Sequence, residues 1–246
     1  MILTPKAHAA EAARAMGRAG NAATAASSRS FFKPGDRVSF HGITTPRLRE
    51  IERRLFQQVK EQWHVKEAVV FCRLCLASRF NESKTLGILT LSRFHREFER
   101  GLFSEVERWL SGDLCDNWSA VDALAPWVIT PLLRRHPGLM PRLARWTRSR
   151  NLWVRRASVV CLVPMARRGE HLELAYGTAE TLAGDREDLI HKAVGWLLRE
   201  AGKTDPRRLE AFLLTCRPRM PRTTMRYAIE RMPRDQRLRL MAATRA

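Results

Sequence analysis

Three segments of the chain each place an indole and a charged side chain one helical turn apart. The pairs are Trp118 with Asp122, Trp153 with Arg156, and Trp196 with both Lys192 and Arg199. On a helix, residues three or four positions apart share a face, so each pair presents both groups to the same side. If the three helices are equivalent neighbours in one stack, these faces adjoin and form a site that contains a carboxylate, guanidinium groups and indoles.

Such a site has the groups needed to cleave the bond between a sugar and a base in nucleic acid. Arginines bind phosphates, and a carboxylate among them stays ionised. Hydrolysis of a glycosidic bond passes through a positively charged sugar, which a nearby carboxylate stabilises while it orients water. Sugar hydrolases normally use a second acid to protonate the leaving group, and these segments contain no clear one. The pattern therefore fits a base that is already cationic and leaves without a proton.

Each of these residues also has a purely structural interpretation. A tryptophan on a helix is most often part of a core, and Arg156 beside Arg155 fits an exposed face. Asp122 lies in an apolar stretch, where a carboxylate is either paired in the interior or used by the protein, because an unpaired buried charge is costly. The recurrence of the pattern in three segments favours a functional site.

The composition indicates a globular protein that binds an anionic polymer. The chain has 246 residues, and 44 Lys and Arg against 25 Asp and Glu give a net charge of +19. The apolar content of 45% excludes a disordered chain, and no run of about eighteen apolar residues predicts a transmembrane helix. Five cysteines without a secretory segment favour a reducing cytosol. The simplest partner for so basic a surface is nucleic acid.

Helical periodicity runs through nearly the whole chain from Thr45 onward, so we expect an all-α fold. Helices that open near 117, 151 and 186 are 34 and 35 residues apart, and each is followed by a shorter helix. A paired-helix period of about 34–45 residues is typical of an α-solenoid of HEAT type. We therefore predict a HEAT-like-repeat α-solenoid with a concave, basic DNA-binding face.

The N-terminal part is expected to differ from the repeats. Residues 1–35 are predicted to form a helix over about 8–25 and a linker, and residues 36–246 are predicted to form the repeat domain. An organellar transit peptide is the alternative for the Ala-rich residues 1–30. Thr45 is the expected cap of the next helix, with Pro46 at its first position.

The remaining motifs give no sign of a metal or a cofactor. Cys72 and Cys75 form a CxxC pair, but no second Cys or His pair lies at zinc spacing. The sequence contains neither a phosphate-binding glycine loop nor an HExxH motif. We therefore expect neither a metal nor a cofactor, and we expect Cys161 and Cys216 to be core residues.

Four segments resemble the AlkD-type DNA alkylation repair glycosylases, a family of HEAT-like-repeat proteins. The segments are Phe40–Pro46 (FHGITTP), Asn117–Asp122 (NWSAVD), Asn151–Arg156 (NLWVRR) and Ile190–Pro206 (IHKAVGWLLREAGKTDP). They follow the order and spacing of the family and frame residues 40–206. The last segment is the most specific of the four.

The resemblance implies that the protein removes N3- and N7-alkylated purines, such as 3-methyladenine and 7-methylguanine, from duplex DNA and leaves an abasic site. Asp122 falls on the family's catalytic carboxylate. The expected DNA-binding residues are Trp118, Trp196, Arg156, Arg199, Lys192, Thr44 and Thr45. Among them, Trp118 and Trp196 fall on the aromatic residues that contact the sugar-phosphate of the lesion, and Arg156 and Arg199 resemble residues that hold the DNA backbone.

The resemblance also implies how the DNA is held. The family grips the damaged strand without placing the base in a tight pocket, so bulky adducts would be tolerated and neutral lesions would be poor substrates. We expect a monomer that needs no cofactor, has no membrane partner and works in the cytoplasm on nucleoid DNA.

Two other functions stay open at this stage. The chain also fits a non-catalytic HEAT-like DNA-binding module or scaffold, which would share the basic surface but would not need Asp122. The chain also fits a protein-binding scaffold that does not bind nucleic acid. Release of an alkylated base would distinguish the enzyme from a non-catalytic DNA-binding module. Measurable affinity for DNA at low salt would exclude the protein-binding scaffold.

Overall fold

The structure, a computed structural model, describes residues 3–243 and confirms the predicted all-α, solenoid-like fold. Within that range the chain is built of helices and their connections, apart from an isolated bridge between Ser39 and Phe80. Two compact units divide the chain, the first ending at His136 and the second beginning at Pro137. The sequence-based division at residue 35 and the concave DNA-binding face stay predictions.

The first unit contains eight α-helices among its described residues. They are α1 (Pro5–Ala19), α2 (Ala22–Arg29), α3 (Thr45–Gln57), α4 (Val65–Leu76), α5 (Asn81–Ser92), α6 (Gly101–Ser111), α7 (Trp118–Leu124) and α8 (Thr130–Arg135). A 3-10 turn over His95–Glu97 follows α5, and a π-helical turn over Ala125–Ile129 joins α7 to α8. Helix α5 packs against α3, α4 and α7 and so lies at the centre of this unit.

The second unit likewise contains eight α-helices within the range that the structure describes. They are α9 (Leu143–Trp146), α10 (Leu152–Val160), α11 (Val163–Ala166), α12 (Leu172–Thr181), α13 (Asp188–Ala201), α14 (Pro206–Cys216), α15 (Arg222–Ala228) and α16 (Arg234–Ala243). The 3-10 turns over Pro137–Arg142 and Arg217–Arg219 precede α9 and follow α14. Helix α13 packs against α10, α11, α12 and α15 and is the centre of this unit.

The N-terminal helix differs from its prediction, because the chain breaks at Gly20 and Asn21 into α1 and α2. The Asn21 side chain accepts the backbone N–H of Thr24 at 2.9 Å and so begins a new helix. A Cβ at Gly20 would lie 2.6 Å from the carbonyl oxygen of His41, which explains the need for glycine at this position. The single helix predicted over 8–25 was therefore wrong.

The cap of α3 lies one residue earlier than predicted. Thr44 has the extended backbone of a capping residue, and its carbonyl oxygen accepts the N–H of Leu48 at 2.9 Å. Thr45 is thus the first helical residue rather than the cap, and Pro46 stands in the first turn, where its missing N–H costs nothing.

The cysteines are buried and free, which confirms the core interpretation of Cys161 and Cys216. Burial raises the pKa of the Cys75 thiol to about 12, and it also raises the pKa of Cys72. Only a thiolate attacks or binds metal readily, and both side chains of the CxxC pair are buried in the core, so their placement fits a packing role.

Candidate functional site

Helix α7 brings Trp118 and Asp122 to one side of the first unit. Its first residue is fixed by Asn117, whose side-chain oxygen accepts the backbone N–H of Ala120 at 2.9 Å. Asp122 follows Trp118 by one helical turn and is half-buried. The spacing predicted from the sequence therefore places the indole and the carboxylate on neighbouring turns of α7.

The indole of Trp118 is held by an aromatic partner that the sequence did not reveal. The ring of Phe32 stacks on Trp118 with 4.9 Å between centroids and 19° between planes. Phe32 in turn touches Phe40 at 5.3 Å between centroids. Stacked aromatic pairs are worth about 0.5–1.5 kcal/mol beyond their buried area, so this contact fixes the ring orientation. Phe32, in the segment after α2, thus helps to position the Trp118 side chain of α7.

Asp122 lines a cavity of about 380 Å³ in the first unit, which we call the Asp122 cavity. Its walls come from α2, α3, α5, α7 and the loop before α3. The polar and aromatic lining residues are Ser28, Phe40, Thr45, Arg49, Asn81, Glu82, Thr85, Ser119, Asp122 and Trp127. The structure therefore brings Thr45 and Asp122 to one cavity, whereas Thr44 is exposed and does not line it.

The loop that delivers Thr45 is held by the buried carboxylate of Glu82. One oxygen of Glu82 accepts the backbone N–H groups of Gly42 at 2.8 Å and Ile43 at 3.3 Å, and the other accepts that of His41 at 3.1 Å. Hydrogen bonds to a charged acceptor are worth about 1.5–3 kcal/mol each. Three of them stabilise this loop, which has no regular secondary structure.

Gly42 is the residue that allows the loop to pass close to α2. Its φ of +79° is in the left-handed region, and a Cβ would lie 1.9 Å from the carbonyl oxygen of Asn21. The glycine of the FHGITTP segment thus has a backbone role.

Helix α5 connects this loop to α7. The side-chain N–H of Asn81 donates to Ser119 Oγ at 2.9 Å, and its backbone N–H donates to the carbonyl of Ser39 at 2.9 Å. The buried Lys84 donates to the carbonyls of Leu76 at 2.6 Å and Leu114 at 2.7 Å. These bonds fix both sides of the cavity to one central helix.

The π-helical turn after α7 carries an exposed indole, Trp127, within the apolar stretch that follows Asp122. Pro126 has no backbone N–H, and the turn widens so that the N–H of Thr130 reaches the carbonyl of Ala125. Trp127 lies in this turn and is 44% exposed. It lines the Asp122 cavity and also a larger groove of about 770 Å³ on the same unit. We call this larger cavity the Trp127 groove.

In the second unit, Arg156 lies on α10 and is only 5% exposed. Its guanidinium donates to the carbonyl of Leu189 in the first turn of α13. Its neighbour Arg155 pairs with Asp185 at 2.7 Å and donates to the carbonyl of Ser149 at 2.9 Å. Arg155 therefore holds the two loops before α10 and α13, and Arg156 connects α10 to α13.

The other predicted residues of the second unit lie along α13. Lys192 pairs with Asp188 at 2.8 Å, one turn earlier on the same helix. Trp196 is half-buried on the following turn. Arg199, whose side chain is 18% exposed, pairs with Glu230, and its Nε lies 3.6 Å from Glu200. The structure thus places three of the four predicted residues of this unit on one helix.

Glu200 is the centre of a cluster of charges at the end of α13. Its side chain is 3% exposed, and it accepts hydrogen bonds from Arg167 at 2.7 Å and Lys203 at 2.6 Å. Burial raises the pKa of the Glu200 carboxyl, but the two cationic donors more than offset burial and hold it below its ordinary value. The charged form is therefore the stable one here.

Comparison with known proteins places the chain in a family. The family model for the DNA alkylation repair enzyme matches residues 12–232. The chain belongs to the DNA alkylation repair enzyme family. A solved structure described as a predicted DNA alkylation repair enzyme from Enterococcus faecalis has a TM-score of 0.75 at 18% identity. That match covers 87% of this chain and 97% of the other, and at this identity it shows a shared fold. The chain matches no curated protein.

Membership of the DNA alkylation repair enzyme family gives the chain a role in DNA repair, with DNA as its partner, and agrees with the resemblance to AlkD-type proteins. Over residues 3–243, no three His, Cys, Asp or Glu side chains come together in a way that could hold a metal ion. In the same range, no helix has the length and apolar character needed to cross a bilayer.

Sequence reasoning missed three residues that line or hold the candidate site, each for a physical reason. Phe32 and Glu82 act through tertiary contacts with no local pattern. Trp127 stands in an apolar run, and only the prolines at 126 and 131 signalled an irregular turn.

Proposed function

We propose that this member of the DNA alkylation repair enzyme family is a DNA glycosylase that hydrolyses the N-glycosidic bond of cationic N3- and N7-alkylated purines in duplex DNA. The position of Asp122 on the wall of a cavity, one turn after an indole held by Phe32, carries this proposal. A carboxylate beside an open space can approach a sugar, whereas one enclosed in a core cannot.

The chemistry needs one carboxylate and one water molecule. As the bond between C1′ and the purine nitrogen breaks, its electron pair goes to the base, and positive charge develops on the sugar. Asp122 stabilises that charge and orients the water, whose oxygen then forms the new bond to C1′. The proton of the water passes to Asp122 or to solvent. The products are the free neutral base and an abasic site.

The arrangement of the second carboxylate on the cavity supports a cationic substrate. Glu82 also lines the Asp122 cavity, and both its oxygens already accept backbone N–H groups. It therefore anchors a loop and is not arranged as a general acid. An N3- or N7-alkylated purine already carries its positive charge and leaves as a neutral molecule, so it needs no such acid.

The remaining predicted residues are proposed to hold the DNA. In the first unit these are Trp118, Thr44 and Thr45, and in the second they are Arg156, Lys192, Trp196 and Arg199. Indoles pack on the sugar of the lesion, and guanidinium groups bind phosphates. We further propose that the protein works as a cytoplasmic, nucleoid-associated monomer without a cofactor.

Release of free base from methylated DNA tests the proposal directly. We expect the protein to release 7-methylguanine and 3-methyladenine from a duplex, and to release hypoxanthine, a neutral lesion, much more slowly. A non-catalytic DNA-binding module would bind the same duplex and release nothing. Equal release of cationic and neutral lesions would contradict the proposed role of the leaving group's charge.

A further inference from the structure

The Trp127 groove is larger than the Asp122 cavity, and nothing in the proposed reaction uses it. Its volume is about 770 Å³, within the range of about 300–1,000 Å³ that is typical of ligand sites. It is lined by Arg49, Glu52, Arg53, Leu89, Ser92, Arg93, His95 and Trp127. It shares Arg49, Leu89 and Trp127 with the Asp122 cavity, so the two cavities adjoin.

The charge of the groove is positive and comes from helix α3. Arg93 pairs with the buried Glu52 at 2.6 Å and 3.1 Å, so these two charges offset each other. Arg49 and Arg53 have no ion pair among the described residues, and Arg53 Nε contacts only the carbonyl of Arg49 on its own helix. Two guanidinium groups are therefore available to an anionic ligand.

The aromatic component is Trp127, a residue that is 44% exposed and lines the groove with these arginines. Its indole N–H has no hydrogen-bond partner within residues 3–243, unlike the buried indoles of Trp63 and Trp109, which donate to Leu3 and Glu105. An exposed indole beside cations is a good platform for a nucleobase, since the base stacks on the ring while its phosphate meets the cations.

We propose that the Trp127 groove binds one unpaired nucleotide of the DNA, with its base stacked on Trp127 and its phosphate held by Arg49 and Arg53. The inference rests on the proposed function, because it takes the DNA partner as the ligand. It goes beyond that function by giving the protein a second subsite, separate from the carboxylate that acts on the sugar.

The experiment uses two undamaged duplexes of equal length, one fully paired and one with a single bulged nucleotide. Fluorescence anisotropy measures the affinity of the full chain for each. Stacking of a base on an aromatic side chain gives about tenfold in affinity, so the wild type should prefer the bulged duplex by about that factor. Trp127→Ala should abolish the preference, and Trp127→Phe should retain part of it.

Matched controls separate this site from general DNA binding. Phe31 is 74% exposed on the same unit and lines neither cavity, so Phe31→Ala should keep the preference. Arg53→Gln should weaken binding of the bulged duplex more than Arg54→Gln, because Arg54 is exposed on the same helix but does not line the groove. Thermal melting of each variant shows that it is folded.

A fluorescent base reports stacking itself. With 2-aminopurine as the bulged base, wild-type binding should quench the fluorescence, and Trp127→Ala binding should leave it bright. Equal affinity of the wild type for both duplexes, or a preference and quenching that survive in Trp127→Ala, would overturn the inference. Neither probe carries an alkylated base, so the result does not depend on whether the protein excises one.

Discussion

At the scale of single residues, ion pairs determine which of the basic side chains are available to DNA. Arg199 is the clearest case, because its guanidinium pairs with Glu230 and also lies near Glu200. A phosphate that binds Arg199 has to compete with Glu230, which is on the surface, whereas Glu200 is enclosed with two other cations. In the proposed binding mode, Glu230 therefore competes with the DNA phosphate for Arg199.

Replacement of Glu230 by glutamine should raise the affinity for duplex DNA by about two- to fivefold, since a surface ion pair worth about 0.5–1 kcal/mol no longer competes. Glu180→Gln is the matched control, because Glu180 also pairs with an arginine, Arg219, at 3.1 Å. Anisotropy titrations at low salt measure both. Equal gains in the two variants would show that only net charge matters and that Arg199 does not bind the DNA.

At the scale of elements, the loop before α3 is the part of the first unit whose conformation depends most on single contacts. Glu82 holds three of its N–H groups, and Gly42 lies against α2. Neither feature has a local sequence signal. The helices around the loop were predictable from their periodicity. The break at Gly20 and Asn21 was missed, although a glycine followed by a capping asparagine is a local signal for it.

Gly42→Ala should destabilise the protein by about 2 kcal/mol or more, because a Cβ would enter the backbone of Asn21 and the residue would keep a strained φ. Chemical denaturation measures the free energy of unfolding. Gly35→Ala is the control, since Gly35 has a negative φ and a Cβ added there would have no other atom within 4 Å. Equal stability of the two variants would show that the loop adapts.

Helix α1 carries a titratable group whose burial links stability to pH. His8 packs its ring against Trp63 and Phe71, with centroids 5.0 Å and 5.1 Å away, and is fully buried. Burial lowers the pKa of His8 below its ordinary value of 6.5, although the charge of Glu11 partly offsets this. The unfolded chain therefore binds a proton more readily than the folded one.

Stability from His8 should consequently be present above pH 6.5 and fall as the pH drops below it, by at most about 1.4 kcal/mol per pH unit. His8→Phe keeps the aromatic contacts and cannot bind a proton. Its free energy of unfolding should thus change less between about pH 7 and about pH 5 than that of the wild type. Parallel pH profiles for the two proteins would show that His8 binds a proton as readily in the folded protein as in the unfolded chain.

At the scale of the whole molecule, the net charge of +19 follows directly from the residue counts of the sequence. The helical class, the repeat spacing and the placement of Trp118 before Asp122 also followed from residue types and periodicity. The stacked Phe32, the exposed Trp127 and the ion pair on Arg199 did not, because each depends on contacts between residues or on a local distortion that periodicity does not encode.

Such a charge should make DNA binding strongly dependent on salt. Each neutralised phosphate releases counterions, so affinity for duplex DNA should fall about 10³-fold or more between about 50 and 200 mM salt. Damaged and undamaged duplexes should give the same slope, because phosphate contacts do not read the lesion. A decrease of less than about tenfold would show that the basic residues are mostly paired within the protein.

The central claim, that Asp122 stabilises the departing sugar, is tested most directly by single-turnover release of 7-methylguanine at saturating enzyme. Asp122→Asn keeps the size of the side chain and removes its charge, so its rate should be about 10²-fold lower than that of the wild type. Asp113→Asn, which changes an exposed acid of the same unit, should keep the wild-type rate. Equal rates for Asp122→Asn and the wild type would contradict the proposed mechanism.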